Sequence, residues 1–188
     1  ELNNATLAII EKFNPQFNAF RLVDAEKALA DAKASEERWI KGEPAGLVDG
    51  VPSTIKDLVD TIGWSTRRGS LTTSDNGTWE NDAPLVARLR ENGAVLLGKT
   101  TTPEFGWKGV TDSPLTGITR NPWNPEKTPG GSSGGAAAAA AACLGALHHG
   151  SDGGGSIRMP SGYTGIYGLK PTFGRVPTWP ASGFGTLS

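Results

Sequence analysis

The later of two glycine-rich loops in this chain reads Asp152-Gly-Gly-Gly-Ser156-Ile-Arg158. Three successive glycines ahead of Ser156 leave no side chain to block an approaching group, and their backbone N–H groups can converge into an anion-binding nest. Acyl transfer needs such donors where the oxyanion of its tetrahedral intermediate develops, each worth about 2.7–4 kcal/mol. At the end of that run Ser156 is placed as a nucleophile. Read alone, the loop fits a flexible glycine-rich turn equally well. The earlier loop, Gly130-Gly131-Ser132-Ser133-Gly134-Gly135, supplies two further hydroxyls.

A serine is a poor nucleophile without a base. His148 and His149 are the only histidines. A His149–Asp152–Ser156 relay puts three members within eight residues, too close in sequence for the usual geometry. The same histidines with Asp152 lack the spacing and partners of a closed metal site. The other candidate is a lysine made neutral by burial, since loss of solvation lowers a lysine's pKa. Lys56 lies among apolar residues in Gly50-Val-Pro-Ser-Thr-Ile-Lys-Asp57. Locally, a solvated lysine at a strand edge is the plainer reading.

These residues must be positioned by elements whose signals are mostly clear. Leu7, Ile10 and Phe13 keep helical spacing up to a stop at Asn14-Pro15. Phe17 to Val23 is strand-like. Asp24 then caps a helix running to Ile40, with Ala25, Ala28, Leu29, Ala32, Trp39 and Ile40 as its core-facing set. Val51 to Val59 is a short strand with Lys56 inside it. Gly63 to Asn81 is an ordered loop, and Asp82-Ala-Pro84 starts a helix that stops at Asn92-Gly93. Ala94 to Gly98 and Ile166 to Leu169 are strand candidates. The seven alanines 136–142 form a tightly packed core helix, because alanine both favours helix and permits close approach. Helices and strands alternate without repeats, which predicts an α/β sheet with helices on its faces. No domain boundary interrupts residues 1–188, and the chain reaches Ser188 in a loop, which reads as a cut rather than a finish.

Composition narrows the function. With 18 basic and 19 acidic residues the net charge is −1, and no basic run with interleaved aromatics appears, so nucleic acid is not a partner. No apolar run reaches the roughly 18–20 residues that span a bilayer, so no membrane partner is expected. A lone cysteine, Cys143, forms no intramolecular disulfide or thiolate cluster and suits a reducing, cytoplasmic setting. The 26 glycines are about twice average usage of roughly 7% and crowd between Gly130 and Gly185.

Taken together, Gly50-Val-Pro-Ser-Thr-Ile-Lys56-Asp57, Pro129-Gly-Gly-Ser132-Ser-Gly-Gly135 and Asp152-Gly-Gly-Gly-Ser156-Ile-Arg158 resemble the amidase signature family. Leu97-Gly-Lys-Thr-Thr-Thr-Pro-Glu-Phe-Gly106 and Gly165-Ile-Tyr-Gly-Leu-Lys-Pro-Thr172 extend the resemblance over nearly the whole chain. The spacings, 76 residues from Lys56 to Ser132 and 24 from Ser132 to Ser156, are similar to the family's. The resemblance implies an α/β fold with a mixed central sheet covered by helices on both faces, incomplete in this chain. Residues 1–188 would then be the N-terminal part of one amidase signature domain in a longer enzyme. It implies hydrolysis of a carboxamide C–N bond, with a small-molecule amide as substrate, no cofactor, no metal, and room for a homodimer. By the same resemblance Ser156 is the acylated nucleophile, and Ser132, held by a cis peptide bond, relays protons between Ser156 and the base Lys56. The amides of Gly153, Gly154, Gly155 and Ser156 form the oxyanion hole. Asp152 and Arg158 fix the loop, and Ser133 is a supporting hydroxyl beside the reacting groups.

Two departures bear on the branch. Gly153 stands where many relatives carry Thr or another side chain, and Met159 stands where the A subunits of tRNA-dependent amidotransferases commonly carry glutamine. Met159 thus argues against that alternative, in which the chain would release ammonia from glutamine. Complete members are more than twice as long as this chain.

Overall fold

A computed structural model of the chain describes residues 1–75 and 79–179. Its centre is a four-stranded sheet of β1 (Phe20–Val23), β2 (Pro52–Lys56), β3 (Val95–Thr100) and β6 (Leu147–His148), ordered β1-β3-β2-β6. β1 runs antiparallel to β3, whereas β2 runs parallel to both β3 and β6, so the sheet is mixed. A separate two-stranded ribbon pairs β4 (Asp112–Ser113) with β5 (Gly117–Ile118). Every residue of β2 and β3 is buried. Strands covered on both faces read as continuous runs rather than alternations, which is what Val-Leu-Leu-Gly-Lys-Thr does.

The helices divide between the two faces. α1 (Leu2–Phe17), α2 (Ala25–Lys41) and the alanine helix α4 (Gly134–Ala141) share a core of Ile10, Phe20, Ala28, Val95, Leu97, Ala138, Ala139 and Leu144. On the other face α3 (Pro84–Glu91) contributes Val86 to a core with Ile55, Trp64, Ala83, Ala94 and Leu96. The expected fold class therefore holds. Two glycines are required by close approach. A Cβ on Gly98 (φ +152°) would stand 2.0 Å from the carbonyl oxygen of Leu22 on β1, and one on Gly135 would stand 2.4 Å from the Thr101 amide. The first lets β1 pair with β3; the second seats the start of α4 against the end of β3.

Several boundaries differ from the sequence expectation. α1 runs through Pro15 to Phe17 and ends at Asn18 in the left-handed conformation, while Asn14 Oδ1 accepts the amides of Ala19 and Phe20 at 2.9 and 2.8 Å. Pro15 sits in the last turn, where its missing N–H costs one bond only. Asp24 caps α2 as expected, accepting from the Lys27 amide at 3.1 Å. Of the core-facing set on α2, however, only Ala28 is buried and Ala32 half-buried; Trp39 and Ile40 are exposed. The helix packs through its small residues, and the indole of Trp39 lies along the surface, donating to Asp49 O at 3.2 Å. Residues 166–169 form no strand. They follow α5 (Arg158–Thr164), which Gly165 terminates in the left-handed region, and Tyr167 and Leu169 are exposed. The loop from Gly63 is ordered through Arg68 N–H to Asp57 O (3.0 Å) and Ser70 Oγ to Glu104 (2.7 Å); its residues 76–78, like Ser188, lie outside the described residues.

Candidate active site

β2 ends at Lys56, where the amides of Leu58 and Val59 turn back onto the Lys56 carbonyl at 2.8 and 3.1 Å. That turn fixes the direction of the side chain as it leaves the strand. On the neighbouring β6, Thr54 pairs with His148, and the His149 amide donates to Thr54 O at 3.0 Å. The chain after β6 therefore leaves the sheet beside Lys56. Ser132 and Ser133 immediately precede α4, and the Ser133 amide donates to Ser156 O at 3.1 Å, tying the two glycine-serine loops together. The Gly131–Ser132 peptide is cis, as the resemblance implied.

Lys56 is fully buried, so the solvated-edge reading is overturned. Its Nζ lies within hydrogen-bond distance of three hydroxyl oxygens: Ser132 Oγ at 2.8 Å, Ser133 Oγ at 2.9 Å and Ser151 Oγ at 3.0 Å. Burial lowers its pKa to about 7, opposed by the charge of Asp152. Hydroxyls stabilise an ammonium less than a carboxylate would, so desolvation prevails.

Asp152 organises the later loop. Its carboxylate accepts from the amides of Gly155 (2.7 Å), Ile157 (3.1 Å) and Arg158 (3.2 Å), and from Arg158 Nε and an Arg158 terminal nitrogen, both at 2.9 Å. The Arg158 guanidinium, followed by these amides, holds the carboxyl well below the usual range. One oxyanion-hole expectation needs correction here. The amide of Gly155 is buried and already given to Asp152, so it is not offered to a ligand. Among the described residues the amides of Gly153, Gly154 and Ser156 have no partner, and Gly153 and Gly154 are exposed.

Ser156 is half-buried, and no hydrogen bond joins its Oγ to Ser132 Oγ among the described residues. In a site without substrate, catalytic hydrogen bonds are often long and tighten on complex formation. The histidines stand apart from this arrangement. His149 is pushed down to about 3 by burial and then by the charges of Lys56 and Lys99, and Asp152 is taken up by Arg158 and amides. Among the described residues no group of three His, Cys, Asp or Glu side chains is arranged to hold a metal ion, and no helix is long and apolar enough to cross a membrane.

Two features escaped sequence reasoning. Ser151 adjoins a recognised motif, but nothing in its spacing marks it as a neighbour of Lys56. The second is Lys99, also fully buried and lowered to about 7 by burial. Lys99 differs from Lys56 in its partners. It donates to Val59 O and Thr66 Oγ1, each at 2.6 Å, and lies 3.9 Å from Asp57, which pairs with Arg21 at 2.7 Å. It occupies the other face of the sheet, in register with Ile55. Beside the serines, Gly106 faces Ser132: a Cβ there would lie 3.4 Å from Ser132 Oγ. The segment carrying Gly106 also lines a cavity of about 310 Å³ with Glu104, Trp107, Lys108, Asp112 and Pro114.

A mixed α/β sheet that delivers a buried lysine to serines on two glycine-rich loops defines a class, and the comparisons agree with it. The sequence matches the family described as Amidase over residues 1–187. It is 43% identical over 182 residues to the indoleacetamide hydrolase of Bradyrhizobium diazoefficiens, covering 97% of this chain and 34% of that protein. It is 47% identical over 179 residues to the A subunit of the glutamyl-tRNA(Gln) amidotransferase of Pseudomonas entomophila, covering 95% and 37%. The structure superposes on a bacterial aryl acylamidase of the amidase signature enzymes with a TM-score of 0.89 and 38% identity, over 95% of this chain and 37% of that one. The chain belongs to the amidase signature family. It spans about a third of the length of the curated relatives it matches.

Proposed function

We propose that the complete enzyme hydrolyses a carboxamide C–N bond through an acyl-enzyme on Ser156. One observation carries this reading: Lys56 is fully buried, its Nζ meets only serine hydroxyls among the described residues, the nearest being that of Ser132 at 2.8 Å, and burial lowers its pKa to about 7. A lysine poised there is substantially neutral at physiological pH and can act as a base. In the proposed sequence Lys56 takes the Ser132 hydroxyl proton as Ser132 takes that of Ser156, and Ser156 Oγ attacks the carbonyl carbon. The amides of Gly153, Gly154 and Ser156 receive the oxyanion. The relay runs backwards to protonate the departing amine, and water then cleaves the ester to free the acid. Asp152 and Arg158 hold the loop in shape, and Ser133 holds the lysine. The lone cysteine suits a cytoplasmic compartment.

We infer further that residues 1–188 are part of a single amidase domain in a longer enzyme, supported by the family match over 1–187 and the coverage of about a third of its relatives. A second reading, the glutamine-hydrolysing component of a tRNA-dependent amidotransferase, is favoured by the 47% identity to the Pseudomonas entomophila protein; transamidation that depends on partner proteins would establish it in place of simple hydrolysis. The decisive test of the chemistry is intact-mass analysis of the full-length enzyme treated with a fluorophosphonate or a slowly turned-over amide. An adduct on Ser156 that is absent in Ser156→Ala is the expected result, and full turnover by Ser156→Ala refutes the proposal.

A further inference from the structure

We propose that Ser151 is a further residue of this site, which together with Ser133 aims the lone pair of the neutral Lys56 amine at Ser132. The inference rests on the reading of Lys56 as base and follows from counting protons. A neutral amine has two N–H donors and one lone pair, yet three hydroxyl oxygens lie at 2.8, 2.9 and 3.0 Å from Lys56 Nζ. One of the three serines must therefore donate to the amine while the other two accept from it.

Ser133 cannot be the donor. A hydroxyl offers one proton and two lone pairs. Ser133 Oγ donates to Ser151 O at 3.1 Å and accepts the Ser151 amide at 3.1 Å, leaving one lone pair for Lys56. The amine's lone pair thus points either to Ser132 or to Ser151, and only the first arrangement lets a proton travel along the relay. Among the described residues neither Ser132 Oγ nor Ser151 Oγ has another partner, so their environments do not break the tie. The relay through Ser132 requires the first arrangement, which assigns the second N–H to Ser151 as its acceptor. With its oxygen removed, that N–H turns to Ser132, the remaining acceptor, and the lone pair swings off the relay.

The charged and titratable groups around this amine are few. Asp152, paired with Arg158, lies on the loop after β6. His149, held neutral by burial, precedes it on the same segment. Lys99, Asp57 and Arg21 form their own cluster on the opposite face of the sheet. A change at Ser151 alters none of them directly, so its effect on titration reports on Lys56.

The test uses the full-length enzyme with Ser151→Ala, Ser151→Cys and Ser151→Thr, following kcat and KM against pH on one amide substrate. Taking an acceptor from the ammonium form favours the amine, so the acid limb of kcat should move to lower pH by roughly one unit in Ser151→Ala. Meanwhile kcat at its plateau falls by about 10- to 100-fold with KM nearly unchanged, the size typical of disturbing one proton-transfer contact. Ser151→Cys keeps the bulk and weakens the acceptor, so it gives the same changes in smaller measure even if the alanine variant fails to fold. Ser151→Thr restores the hydroxyl and both parameters. Unchanged kcat in the alanine and cysteine variants overturns the inference, as does a loss of kcat with an unmoved acid limb that threonine does not rescue. Lys56→Ala and Ser156→Ala run alongside separate the two levels: if either keeps full turnover the base reading itself fails, whereas if both are dead and Ser151→Ala is fully active only Ser151's role falls.

Discussion

Replacing Lys56 with methionine should remove activity and at the same time change how stability depends on pH. Burial takes the Lys56 pKa from its ordinary 10.5 to about 7. At about 1.36 kcal/mol per pH unit, holding the ammonium out of water costs on the order of 5 kcal/mol. The sign follows from proton counts. Below pH 7 both folded and unfolded chains carry the proton, and the wild type bears the whole cost. Between pH 7 and 10.5 the unfolded chain binds more protons than the folded one, so stability rises with pH until the cost is gone. Methionine has nearly the same length and never carries the charge, so Lys56→Met lacks this rise. Its three orphaned serine hydroxyls lower stability by an amount that does not vary with pH. Lys99 titrates identically in both proteins and cancels in the comparison. Urea unfolding of wild-type and Lys56→Met full-length protein at pH 6, 7, 8 and 9 should therefore give a difference that is flat from 6 to 7. From pH 7 to 9 it should shift by on the order of 3 kcal/mol in favour of the wild type. A difference that is constant from pH 6 to 9 would refute the buried, neutral lysine and with it the base.

Other expectations follow from the same geometry. Asp152→Asn removes a carboxylate that raises the Lys56 pKa, so the acid limb of kcat should move to lower pH. The loop also loses the charge paired with Arg158 and one of the two oxygens that accept its amides, so kcat should fall at least about 10-fold; a pH profile that coincides with wild type would show that Asp152 does not act on the site. Gly98→Ala puts a methyl 2.0 Å from Leu22 O and should destabilise the protein by at least about 1–3 kcal/mol in urea titrations, with β1 the first element to lose amide protection in hydrogen exchange.

The sequence by itself determined most of the scaffold, through strong local signals: the Asp24 cap, Pro84 at a helix start, the alanine run, and apolar strands around residues 52–56 and 95–100. The expected chemistry came from the three motifs taken together, through their resemblance to a family, and not from any of these local signals. It misplaced elements where a local signal was overruled by surroundings. Pro15 did not stop α1, because Asn14 and Asn18 carry the capping beyond it, and Ile166–Leu169 found no strand to join.

Local sequence also left Lys56 ambiguous. The same Pro-Ser-Thr-Ile-Lys string could end at a wet edge or inside a sheet; the tertiary structure decides, because β3 and β6 make β2 an inner strand and the loops carrying Ser132, Ser133 and Ser151 close over Lys56 Nζ. The distribution of backbone donors was undecidable as well: three glycines promised three amides, but the fold of the loop spends one of them on Asp152. Ser151 is the clearest case. Its hydroxyl matters because β6 lies parallel to β2, which sets a side chain 95 residues away within 3.0 Å of the lysine nitrogen. Local propensity is written residue by residue, whereas desolvation and hydrogen-bond partnership are properties of what the folded chain brings alongside.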